Sequence, residues 1–138
     1  MANPIVLLDA QLSIANNDLT PWCKKIELSD EFEAKKTTTF ASGGAEENKG
    51  GLESFDVAIT LNQDYDVAAL DSIMWALRRS TVTFATRAMA SAVTSSNPQY
   101  SGKIVIVKWV PLSGSVGDVG EVDVTFPGSG PLARVTTT

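Results

Sequence analysis

"VDVTFPGSGPLARVTTT", residues 122–138, opens with Val122, Val124 and Phe126 on one side of an alternating run and Asp123 and Thr125 on the other. That period of two marks a strand with one buried face. The run then meets Pro127-Gly128-Ser129-Gly130-Pro131, which reads as a rigid turn because proline fixes φ and glycine opens backbone conformations closed to other residues. A second strand-like stretch follows, with Arg134 as its single charge. A strand, a turn and a strand with no reactive side chain point to a β fold without catalysis.

The same pattern recurs upstream. Leu8, Ala10, Leu12 and Ile14 alternate with Asp9, Gln11 and Ser13, and Phe55, Val57, Ile59 and Leu61 alternate with Ser54, Asp56, Ala58 and Thr60. Cys23 to Leu28 and Phe32 to Phe40 read as one or two strands around a kink at Ser29-Asp30, with the β-branched Thr37, Thr38 and Thr39 favouring extended backbone. "TVTFATRA" reads as another strand, "MASAVTSSNPQYSG" and "SGSVGDVG" as loops, and "KIVIVKWVPL", apolar on both faces, as a strand covered on both sides. Only "DYDVAALDSIMWALRRS" changes period: Val67, Leu70, Ile73, Met74 and Leu77 fall at helical spacing and form a packing face. The expected helix runs from Asp66 to Arg79, capped by Asp64 or Asp66 and with Arg78 and Arg79 facing its negative end.

One stretch has no period at all. Ala41, Ser42, Gly43, Gly44, Ala45, Glu46, Glu47, Asn48, Lys49 and Gly50 combine glycine, small polar groups and charge between two strands, as the oversized tip of a hairpin over Phe32 to Leu61. A loop this long inside a compact domain is functional or disordered as a rule, and this one is expected to be mobile until a partner orders it. The fold class is therefore mainly β, strands with one α-helix and a long hairpin loop, with residues 1–138 as a single domain.

Composition narrows the function. The chain has 11 basic and 16 acidic residues, a net charge of −5, which argues against gripping nucleic acid through its phosphates or binding anionic membrane. Its 138 residues include one cysteine, Cys23, so no internal disulfide forms, and no histidine. The commonest general base and zinc ligand is therefore missing, and Cys23 has no imidazole to activate it. The start lacks a basic stretch followed by a long apolar one, and no run reaches the ~20 apolar residues of a spanning helix, so a soluble, cytosolically made protein is expected.

The remaining constellations have plain readings. Asp64 and Asp66 are better helix caps than an acid/base pair. Asp118, Glu121 and Asp123 lack the spacing of a calcium loop and read as solvated strand residues. The glycine-rich stretches lack the strand-to-helix context of a phosphate cradle. Trp22, Trp75 and Trp109 fall in separate elements and read as packing rather than as a stacking platform, and Cys23 as a half-buried filler with no assigned role. No catalytic, metal-binding or cofactor-binding residue emerges, and no enzyme is expected.

The end of the chain resembles phage major tail proteins, the tail tube proteins of long-tailed, siphovirus-type phages. "WVPLSGSVGDVGEVDVTFPGSGPL", Trp109 to Leu132, carries the most specific part of the likeness. The order of an N-terminal strand pair, a long hairpin with a flexible tip, one helix and closing strands fits along nearly the whole chain. The resemblance implies a small β-sandwich or barrel of antiparallel strands with one flanking α-helix, in a structural virion protein that self-assembles into hexameric rings stacked as a tube, through which DNA passes without specific binding. It also implies a loop reaching the neighbouring ring, tail partners such as a tape measure and a terminator, no cofactor, no membrane, and assembly in the host cytoplasm. In such a conduit Asp9, Asp56, Glu121 and Asp123, each on the polar side of an alternating strand, are candidates to face the lumen, because a wall of like charge passes a polyanion without holding it. The same residues fit a tube's exterior equally well, since the pleat fixes alternation and not which face turns inward. The alternative is a non-enzymatic immunoglobulin-like or Greek-key binding module, which exposed aromatics gathered on one set of loops would favour.

Overall fold

The computed structural model describes residues 4–137; Thr138 and the first three residues of the start lie outside it. The chain is mainly β, as expected: β1 (Gln11–Ile14), β2 (Asn17–Asp18), β3 (Cys23–Lys36), β4 (Asn48–Asn62), a helix α1 (Leu70–Leu77), β5 (Thr81–Arg87), β6 (Gln99–Val105) and β7 (Glu121–Val135). The strands form one antiparallel sheet in the order β2-β1-β5-β6-β7-β4-β3.

The last strand corrects the reading of its Gly/Pro stretch. Pro127 to Pro131 does not turn; β7 runs through it, and there changes partner. Its first half pairs with β4, from Asn62↔Glu121 to Asp56↔Pro127, and its second half pairs with β6, from Ile104↔Gly128 to Gln99↔Val135. The register slips between Ser101 and Lys103, a bulge beside Gly102. Prolines and glycines that end a strand in isolation here bend one that stays paired.

Phe55 sits at the fork. A Cβ on Gly128 would stand 2.4–2.6 Å from three carbons of the Phe55 ring, and one on Gly102 would stand 3.0 Å from its Cζ. The ring therefore fills space that only glycine leaves open, and it packs against Phe84 with ring centroids 5.8 Å apart.

The inward residues of both halves share one buried cluster: Leu12, Ile14, Phe55, Val57, Ile59, Leu61, Phe84, Ile104, Val122, Val124 and Phe126, with Leu70 and Met74 of α1. A groove of about 440 Å³ is lined by Ile26 and Leu28 of β3 together with Thr86, Arg87, Tyr100 and Leu132. In a flat sheet β3 and β5, four strands apart, would lie about 19 Å from each other at the usual ~4.8 Å spacing. Sharing a groove requires the sheet to curl over its core.

Other expectations shift at the edges. β1 starts only at Gln11, and Leu8 is 87% exposed, because no neighbouring strand extends to cover it. β3 is a single 14-residue strand with no break at Ser29-Asp30; its irregularities fall at Cys23/Lys25 and Phe32/Ala34. Phe40 belongs to a 3-10 turn, and β6 already begins at Gln99. Beyond β6, Ile104 and Ile106 are buried but Val107 is exposed, so the apolar run "KIVIVKWV" is covered on one side only. The helix is shorter than its pattern. Asp64 and Asp66 do not cap it; Ala69 is the N-cap, while Asp64 accepts from the Asp66 amide at 3.1 Å and from Trp22 Nε1 at 2.8 Å. Leu70 and Met74 are buried and Ile73 and Leu77 partly so, whereas Val67 precedes the helix and is 98% exposed. Ala68, at φ 61, turns the chain in between, which takes Val67 out of the helical face.

Candidate assembly surfaces

β3 and β4 are much longer than the core needs. β7 pairs with β4 only as far as Asp56, so beyond Asp30 and Phe55 the two strands continue as an arm without a third strand. Every residue from 29 to 54 is exposed except Ser42. The arm still carries large apolar groups: Phe32 is 61% exposed, Leu52 77%, and Phe40 at the tip lies wholly in water. A two-stranded ribbon wet on both faces is marginally stable by itself. Phe32 and Glu53 are directly paired, and Asp30 lies two residues along the same strand, so all three share one face.

The tip holds the ten loop residues expected to be irregular, and part of that expectation is corrected. Asn48, Lys49 and Gly50 belong to β4, because they pair with Lys36, Lys35 and Ala34. The rest is short and locally bonded. Thr37 N donates to Glu47 O at 2.9 Å and Glu47 N to Thr38 Oγ1 at 2.8 Å, while the Thr39 amide donates to Ser42 Oγ at 3.2 Å. Ala41 and Ser42 fall in the 3-10 turn, which Gly43 ends at φ 65, leaving Gly44, Ala45, Glu46 and Glu47 as the true connection.

Three of the four carboxylates singled out by alternation come together. Asp123 opposes Thr60, Glu121 opposes Asn62 and Asp56 opposes Pro127, so Asp56, Glu121 and Asp123 share the outward face of β4 and β7. Glu27 and Glu31 of β3 extend that face through their pairing with Ala58 and Ser54. Alternation along one strand could not show that convergence, which depends on register. Lys24 Nζ meets Glu121 Oε1 at 2.5 Å, and Thr60 Oγ1 donates to Asp123 Oδ1 at 3.3 Å. Asp9 stands apart, in the bend before β1.

A second exposed surface lies at the opposite end of β4. The segment between β6 and β7 is fastened to α1 and the turn before it by Trp109 Nε1 donating to Asp71 Oδ1 at 3.1 Å, Gln63 Nε2 donating to Pro111 O at 3.0 Å, and Tyr65 Oη donating to the same carbonyl. Trp75 remains half exposed, with the Arg78 guanidinium 3.7 Å above its ring. Arg78 Nε also donates to Trp75 O, closing one of the free carbonyls at the helix end. Arg79 follows at φ 68, and its amide bonds Ile106 O at 2.8 Å, which places it beside Val107 and Lys108. Nothing in the sequence marked this cluster, because the end of α1 meets the residues after β6 only through the tertiary hydrogen bonds of Arg79 and Ser80 with Ile106.

Cys23 is half-buried at the start of β3, and burial raises its thiol pKa above the ordinary value. Among the described residues no group of three or more potential ligands could hold a metal ion, and no helix is long and apolar enough to cross a membrane.

No known protein family matches the chain, and no curated protein matches it in sequence. Solved structures do match it in fold. A chain from the virion of a native gene transfer agent particle aligns with a TM-score of 0.69 at 15% identity, over 92% of this chain and 95% of that one. A chain from the tail of an empty gene transfer agent particle, described with C6 symmetry, aligns with a TM-score of 0.65 at 15% identity, over 96% and 98%. The protein thus shares its fold with a chain of a virion and with a chain of a tail.

Proposed function

We propose that the protein is a structural subunit of a phage-type tail, with residues 1–138 acting as one tail-tube-like domain that assembles into hexameric rings stacked as a tube for DNA. The observation that carries this reading is the arm: a two-stranded ribbon projecting from the core, wet on both faces and bearing Phe32, Phe40 and Leu52, is built to be covered by another molecule. The likeness in fold to a chain of a C6-symmetric tail supports a sixfold ring of copies as that partner. The arm with its tip then reaches the neighbouring ring. The face carrying Asp56, Glu121 and Asp123 lines the lumen, where carboxylates keep a polyanion in transit from adhering. Neighbouring tail proteins such as a tape measure and a terminator complete the assembly in the host cytoplasm and the virion, without enzymatic activity, cofactor or membrane.

Electron microscopy of the concentrated protein tests the reading. The full chain should form regular tubes, and a variant in which residues 34–50 are replaced by Asn-Gly should stay folded and form none. A truncated chain that still builds tubes would remove the arm's tip from the assembly, and a full chain that forms no ordered assembly with tail partners present would remove the reading.

A further inference from the structure

The arm needs a receiving surface, and the structure offers one. Its residues 30–54 carry six carboxylates against three lysines, and two of those lysines are already held by Glu33 at 2.6 Å and Glu46 at 3.4 Å. The face described above presents Phe32 between Asp30 and Glu53. At the other end of β4, half-exposed Trp75 lies under Arg78, and Arg79 is bonded to Ile106 next to the exposed Val107 and Lys108; none of these three cations has a carboxylate within 4.0 Å among the described residues. One surface is an aromatic ring flanked by carboxylates, and the other is an aromatic ring flanked by cations.

Arg79 adds an independent sign. It occupies the left-handed position just past a helix where glycine is the usual residue, at a cost of roughly 1 kcal/mol for a side chain with a Cβ. Such outliers persist where the structure holds them and concentrate at functional positions. Geometry excludes an internal match, since the extended run of β4 from Glu53 to Asn62 separates the docking face from the end of β4 nearest α1 by roughly 30 Å.

We infer that the Asp30-Phe32-Glu53 face of one copy docks on the Trp75-Arg78-Arg79-Lys108 patch of the next, a head-to-tail contact between unlike surfaces of identical chains. It rests on the self-assembly reading and names the two surfaces that meet. Phe32 packs on the Trp75 and Val107 side while Asp30 and Glu53 pair with the guanidinium and ammonium groups, and the contact repeats because each copy keeps one free arm and one free patch.

Charge exchange tests it. The patch variant Arg78→Glu with Lys108→Glu and the arm variant Asp30→Lys with Glu53→Lys should each fold with the parent's circular dichroism. By sedimentation, each should need at least ~10-fold more protein than the parent to associate. An equal mixture should assemble again, because each reversed surface finds a reversed partner on the other chain. Independently, Phe32→Cys with Trp75→Cys in a Cys23→Ser background should give a ladder of disulfide-linked chains under mild oxidation. Variants that associate like the parent, or a mixture that fails to recover with no ladder forming, would overturn the docking and leave self-assembly standing. A parent chain that stays monomeric at every concentration and yields no ladder would overturn both.

Discussion

Replacing Gly128 by alanine should disturb this fold more than any other single methyl group added to β7. The new Cβ would lie 2.4 Å from Phe55 Cε1, 2.5 Å from Cζ and 2.6 Å from Cδ1, about 1 Å inside ordinary carbon contact. Retreat is blocked on the far side, where the ring already approaches Gly102 and Phe84. Either the ring shifts and strains its neighbours, for about 1–3 kcal/mol, or it leaves the core, with a loss approaching the ~3–5 kcal/mol of a phenylalanine truncation. A cost of roughly 2–4 kcal/mol follows. With a urea dependence of about 1–3 kcal/mol per molar, the unfolding midpoint should fall by about 1–2 M. The decisive measurement is the cycle with Phe55→Leu, whose smaller side chain vacates part of the contested space. The double variant should be more stable than the sum of the single effects by at least ~1 kcal/mol. An unchanged midpoint for Gly128→Ala, or strict additivity with Phe55→Leu, would show that this contact does not shape the fork.

Leu70→Ala should cost about 2–5 kcal/mol in urea unfolding, since its side chain is fully buried, while Val67→Ala should stay within about 0.5 kcal/mol; equal effects would contradict the helix packing described here. Burial raises the Cys23 pKa, so the folded thiol holds its proton to higher pH than the unfolded one, and the associated stability is complete below the unfolded value and lost as pH rises through the folded one. At pH 9.0, the ordinary thiol value, iodoacetamide should label native Cys23 several-fold more slowly than the urea-unfolded chain, and equal rates would show an open, unperturbed thiol. In an assembled particle, Glu121→Lys with Asp123→Lys should leave tubes intact and slow DNA release, more so at low salt. Release identical to the parent's at every salt concentration would place that face away from the lumen.

What the sequence determined alone was which side of a strand is apolar. Phe55 to Leu61 and Val122 to Phe126 show their buried faces in their own alternation, because a pleat sends successive side chains to opposite sides whatever the partner. The buried part of α1 was equally legible at Leu70 and Met74. Tertiary structure decided everything that depends on a neighbour. Pro127 to Pro131 looked like a turn because local chemistry favours one, yet β6 supplies partners that keep the stretch a bent strand, with Phe55 seated where a side chain on Gly128 would go. Val67 fitted the helical period, but the helix starts three residues later, so the period had nothing to pack against at that position. Asp56, Glu121 and Asp123 were separate polar positions until the β4–β7 register placed them on one face. Likewise Arg79 and Ile106, 27 positions apart in the chain, meet only because the end of α1 is hydrogen-bonded to the residues leading out of β6. Alternation is a property of one backbone; convergence is a property of two, and it is set by the hydrogen bonds and packing between them.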